Sequence, residues 1–146
     1  MATRTQVRVA VIQMLYAKDL GNDKMELQLN DYLEERRIKG QKAEFAKFLF
    51  NGVIENLEKI DTIIREHLTK EWELERLDNI DKQILRLGVY EIIFTDLPYQ
   101  VVINEAVEIA KLLSTLNATK FVNGMLDNIA KEYDEKAKQN ETLHRS

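Results

Sequence analysis

Cysteine is absent from this chain, which removes disulfides, thiolate metal ligands and thiol nucleophiles in one step and agrees with a reducing compartment. Proline occurs once, at Pro98, and glycine five times, so few positions interrupt a regular backbone. The two histidines, His67 and His144, have no second histidine or carboxylate at obvious ligand spacing, and no metal site is expected. No stretch approaches the ~18 to 20 uninterrupted apolar residues a membrane helix requires. Met1 to Thr5 also lacks the apolar run of a signal peptide, so a cytoplasmic protein with no membrane partner is expected. A glycine-rich phosphate loop, a metalloprotease helix motif and a serine elbow are all missing. Carboxylate pairs such as Glu105 and Glu108 have the spacing of a solvated helix face. The expectation is a protein that is not an enzyme, with no catalytic residue and no cofactor.

What remains is the composition of an ordered helical globule. The 146 residues are 45% apolar and 32% charged, enough for one core, since folding at this length buries roughly 70% of the surface the unfolded chain exposes. Strand-type alternation is absent, while apolar residues recur at intervals of three and four. Val7, Val11, Met14 and Leu15 mark a helix over about Thr3 to Asp19, ended by Gly21 and Asn22. Asp23, with Glu26 three residues on, reads as a capping box for a second helix whose stripe is Met25, Leu29, Tyr32 and Leu33. A third, long segment over about Ala43 to Leu68 carries Phe45, Phe48, Leu49, Val53, Leu57, Ile60 and Ile64. Leu74 to Phe94 follows, with Leu77, Ile80, Ile84, Leu87 and Ile92 as core positions and Gly88 where two helices approach closely. Pro98 forces a restart into Tyr99 to Leu113, with Val102, Ala106, Ile109 and Leu113 in register. Asn117 opens a last helix to about Lys136, with Phe121, Met125, Ile129 and Tyr133 facing inward. The spacing predicts an all-α, single-domain bundle of six to seven helices over residues 1–136 and a polar, frayed tail over 137–146.

Net charge is −4, which argues against a chain that coats nucleic acid by bulk electrostatics. The charge is uneven. Met1 to Lys18 holds Arg4, Arg8 and Lys18 and no acid, which makes that helix either a phosphate-tracking edge, with Tyr16 as a stacking aromatic, or a face of solvated cations. In the run N-A-T-K-F-V-N-G from Asn117, an N-cap at Asn117 and the cation Lys120 suit a phosphate, with Phe121 nearby; simple capping over a core phenylalanine explains the same residues. Glu71, Glu73, Glu75, Asp78 and Asp81, with Trp72, Leu74 and Leu77, read either as charge favourable to a helix start or as a docking surface for a basic protein.

Three blocks in order and spacing resemble the NusB family: L-D-N-I-D-K-Q-I-L-R-L-G-V-Y-E from Leu77, P-Y-Q-V-V-I-N-E-A-V-E-I-A-K from Pro98, and K-F-V-N-G-M-L-D from Lys120. The opening R-V-A-V-I-Q-M-L-Y from Arg8 is similar to the first helix of that family. The resemblance implies two three-helix halves and a role in transcription antitermination, chiefly on ribosomal RNA operons. It implies binding of single-stranded boxA RNA together with the small-subunit ribosomal protein NusE, in a complex with other Nus factors on RNA polymerase. It places Arg4, Arg8, Tyr16, Lys18, Asn117, Lys120 and Phe121 on the RNA side, and Asp81, Asp78, Leu74 and Glu75 on the protein side. Two departures stand out: Thr5 and Gln6 separate the only two arginines of the opening stretch, and Asn117 and Thr119 stand where many members carry an acid and a histidine. Competing readings are a helical association module without RNA binding, including a homodimer, and a detached NusB-like domain of an RNA cytosine methyltransferase, for which the chain has no catalytic cysteine.

Overall fold

The computed structural model describes residues 2–69 and 72–145, with side chains as far as Asp134. Among them seven α-helices form: α1 Arg4–Asp19, α2 Met25–Glu35, α3 Gly40–Glu55, α4 Leu57–His67, α5 Asn79–Phe94, α6 Tyr99–Leu113 and α7 Leu116–Arg145, with a 3-10 turn at Leu74–Arg76. No strand forms in the described residues. The frayed tail expected from Ala137 has helical backbone as far as Arg145. Glu71 and the side chain of His144 lie outside the described residues.

Helix α1 begins where a reciprocal cap permits it. The Gln6 amide N–H donates to Thr3 Oγ1 at 3.1 Å, and the Thr3 N–H donates to Gln6 Oε1 at 2.8 Å, satisfying two otherwise orphaned donors. The start expected at Asp23 is different: α2 opens at Met25 with no side-chain cap, and Asn22 Oδ1 accepts the Lys24 N–H instead. The segment expected as one long helix is broken at Asn56, whose Nδ2 donates to the Gly52 carbonyl at 2.8 Å. That side chain competes with the backbone for the same acceptor, and the chain bends there into α4. The fourth expected helix also divides. Asp78 Oδ1 accepts the Ile80 N–H at 3.0 Å and caps α5, leaving Leu74–Arg76 as the separate turn.

Helices α1–α3 pack together, as do α5–α7, and α1 and α3 join the halves through α5, while α4 lies on α5 and α7. Helix α5 is therefore central, and its residues from Gln83 to Ile92 are buried without a break. A helix covered on every side shows little of the apolar stripe that marks a surface helix. Gly88 fits its expectation: a Cβ there would stand 2.8 Å from Leu126 Cδ1, so α5 and α7 meet backbone to side chain. Two expected core aromatics differ. Phe48 is 52% exposed and Tyr133 43%. Phe48 meets the ring of Tyr90 edge-on, and the Tyr133 hydroxyl reaches the Ile93 carbonyl, so both cover the core from its rim.

Candidate nucleic-acid and partner interface

Of the cations expected to follow phosphates, Arg4 is exposed, with its guanidinium 5.5 Å from the centre of the Phe45 ring. Arg8 is not on that edge. It is 5% exposed, and its Nε and Nη2 each donate to Glu91 at 2.8 Å, tying α1 to α5. Burial alone would lower the pKa of Arg8, but the hydrogen bonds and charge of Glu91, with the charge of Glu105, outweigh it and raise the value. Glu105, expected on a solvated face, has its Oε1 buried with no hydrogen-bond partner in the described residues. The sequence shows that Arg8 is a cation but not that a buried carboxylate claims it. An ion pair with this bidentate geometry is committed to packing.

Lys18 is similarly engaged. Its Nζ lies 2.6 Å from Glu26 Oε1, joining α1 to α2, and that hydrogen bond lowers the pKa of Glu26. Tyr16 is half-buried. The run from Asn117 is capped two residues earlier than expected: Thr115 Oγ1 accepts the Ala118 N–H at 3.0 Å, and Asn117 is an exposed residue inside the first turn of α7. Lys120 is exposed beside it and Phe121 half-buried.

On the other expected face, Leu74 is 2% exposed and belongs to the core, so it anchors the turn and offers nothing to a partner. Glu75 is exposed and accepts from Arg65 Nη2 at 2.7 Å, a hydrogen bond that lowers its pKa. Asp81 is half-buried at the α5–α6 contact, where Ser114 Oγ donates to its Oδ1 at 2.6 Å. Burial raises the pKa of Asp81 above its ordinary value; the bond from Ser114 opposes this, and the charge of Asp78 adds to it.

The tertiary structure brings the two expected faces together. Asp78, Asp81, Asn117 and Phe121 all line one open groove of about 450 Å³, with Trp72 and Arg76. Trp72, 55% exposed, was read with the acidic stretch as part of a docking surface, whereas Arg76 was not among the expected site residues, although a cation beside an exposed tryptophan suits recognition. The groove offers aromatic faces, a guanidinium and two carboxylates within one concavity, a set able to stack a flat ring and to accept from amino groups or from a basic side chain.

His67 Nε2 lies 2.5 Å from Glu132 Oε2 across α4 and α7, a pairing between residues far apart in sequence. No third metal ligand joins them among the described residues. No helix among those residues is long and apolar enough to cross a membrane.

The NusB family model matches residues 5–131. A transcription antitermination protein NusB from a Nitratiruptor species is 53% identical over 132 residues, covering 90% of this chain and 94% of the relative. NusB of T. maritima superposes with a TM-score of 0.82 at 41% identity, covering 90% of this chain and 92% of that one. A NusB chain solved with NusE and double-stranded RNA superposes at 0.79 and 33% identity, covering 89% and 97%. The match spans both halves of the bundle and all three sequence blocks, and the chain belongs to the NusB family.

Proposed function

We propose that this chain is a transcription antitermination factor that binds boxA RNA of ribosomal RNA operon transcripts together with the small-subunit ribosomal protein NusE, within a Nus factor complex on RNA polymerase. The observation that carries the reading is the likeness, over nearly the whole of both chains, to a NusB solved with NusE and RNA. The groove at the α5 and α6–α7 corner supports it by holding Phe121, Trp72 and Arg76 beside Asp78 and Asp81. A chain of net charge −4 holds a polyanion weakly by itself, and a basic partner supplies the missing positive field. Fluorescence anisotropy with a boxA oligonucleotide, with and without the ribosomal partner, tests this. Weak binding alone and markedly tighter binding with the partner are expected; no binding in either arm refutes the reading. Phe121→Ala should cost ~1 to 3 kcal/mol of RNA affinity if its ring stacks on a base, with circular dichroism to check that α7 still docks.

Asp81 gives a separate prediction. Its folded pKa is raised, so the stability it contributes is full below its unfolded pKa and is lost as pH rises through the folded value. Asp81→Asn should therefore be no less stable than wild type at neutral pH, and the difference should shift in favour of wild type on acidification in urea titrations. The same substitution should slow association with a basic partner at low salt. Unchanged association kinetics would remove Asp81 from the docking surface.

A further inference from the structure

Helix α2 ends in a closed double-bonded turn. Ile38 N–H donates to the Leu33 carbonyl and Arg37 N–H to the Glu34 carbonyl, each at 3.0 Å, the pattern in which the residue after the helix takes a left-handed conformation and is usually glycine. Here that residue is Arg37, at φ 58°. It is the single non-glycine residue of positive φ among those described, and a Cβ makes this conformation costly. Ile38 is buried and pins the turn. The Arg37 side chain has no hydrogen bond or ion pair in the described residues. An arginine held where glycine would be relaxed, and left unpaired, points to a use for its charge.

Arg37 lines an open groove of about 560 Å³ between α1, this turn and the end of α6, together with Arg36, Gln6, Gln13 and Leu113. The polar lining is rich in donors. Gln6 Oε1 accepts from the Thr3 N–H and Gln13 Oε1 from the Tyr32 hydroxyl, which leaves the NH2 group of each amide to donate. The Arg36 guanidinium lies 3.3 Å from the centre of the Tyr32 ring, fixed by its bond to the Tyr32 carbonyl. The chain has 25 acids, yet none lines this groove, whereas Asp78 and Asp81 line the other. The two grooves flank one corner, Leu113 lining this one and Thr115 the other.

We infer that the groove between α1, the α2–α3 turn and the end of α6 holds the sugar-phosphate backbone of single-stranded RNA, with Arg36 and Arg37 neutralising phosphates on a path that continues round the α6–α7 corner. This rests on the RNA-binding reading above. A second copy of the chain fits less well, because a two-fold contact centred here would set both arginine pairs face to face.

The test uses a uridine oligonucleotide, since a phosphate contact is indifferent to base. Arg4 and Lys120 alone predict a log–log salt slope of roughly −1.4; adding Arg36 and Arg37 predicts roughly −2.8. Arg37→Gly, which removes the charge and relaxes the backbone, should weaken binding about threefold to tenfold and make the slope less negative by roughly 0.7. Its melting temperature should hold or rise by up to about 4 °C. Arg37→Gln, which keeps the strain, should lose the same affinity, and Arg37→Lys should retain most of it. If wild type binds RNA but Arg37→Gly and Arg37→Gln bind with the same affinity and slope, the groove assignment fails alone; if wild type binds none, with or without the ribosomal partner, both readings fail. A wild-type dimer in sedimentation that Arg37→Gly dissociates would make the groove a self-contact and overturn the assignment.

Discussion

Glu91→Ala should destabilise the fold by about 3 to 5 kcal/mol, the largest loss expected from a single substitution here. Arg8 sits on α1 and Glu91 on α5, and the guanidinium and carboxylate meet through two parallel bonds of 2.8 Å with almost no solvent access. Removing the carboxylate leaves a charged guanidinium in the core with only Glu105 nearby and with both of its hydrogen bonds lost. The cost comes from the orphaned charge rather than from the pair, because replacing both partners by apolar groups avoids it. Arg8→Met with Glu91→Leu should therefore recover about half or more of the loss, short of full recovery because Glu105 then stands without a cation. Urea denaturation measures this. The same double variant decides what Arg8 does: once refolded, it should bind RNA as wild type does. If the double variant is as unstable as Glu91→Ala, burial of the pair is not the cause. If it is stable but loses RNA, Arg8 belongs to the interface after all.

Gly52→Ala should cost about 2 to 3 kcal/mol, although alanine is the better helix former by about 1 kcal/mol. Gly52 lies on α3 against the ring of Tyr90 on α5. A Cβ there would fall 2.5 Å from Cε1 and closer still to Cζ and Oη. The ring has little room to swing away. Phe94 stacks on it with centroids 5.4 Å apart, and Phe48 meets its edge at 5.8 Å. The α3–α5 contact must then open, and the core tolerates such overpacking poorly. Gly88→Ala is a useful contrast, since its nearest neighbour is a methyl of Leu126, the end of a rotatable side chain; its loss should be much smaller. Tyr90→Leu combined with Gly52→Ala should restore part of the stability. A Gly52→Ala protein more stable than wild type in urea would show that the ring moves freely.

Both predictions concern contacts between helices, and there sequence reasoning reaches its limit. The helical periodicity, the turn at Gly21, the restart at Pro98 and the close approach at Gly88 were legible, because each is a local property of a few neighbouring residues. The break at Asn56 was not, since apolar positions stay in register across it and only the bond from Asn56 to Gly52 reveals the bend. Leu74 read as an anchor on a docking surface because spacing alone does not say which side of a short turn faces the core. Phe48 read as core because an aromatic at the rim repeats with the same period as one inside.

The candidate site divides the same way. Neighbouring residues along the chain already carry the helical class, the family through its three blocks, and the stock of cations and acids from which any interface must be made. Packing between distant helices settles which of those charges are free. It gave Arg8 to Glu91, 83 positions away, and Lys18 to Glu26. It set Asp81 under Ser114 in the groove that also holds Phe121, and it left Arg37 unpaired in a left-handed turn beside a groove without acids. The reason is physical. A residue's helical position follows from its neighbours along the chain, but whether its charge meets solvent, a partner or a buried counter-ion depends on which distant helix packs against it, and that is settled only when the whole core closes.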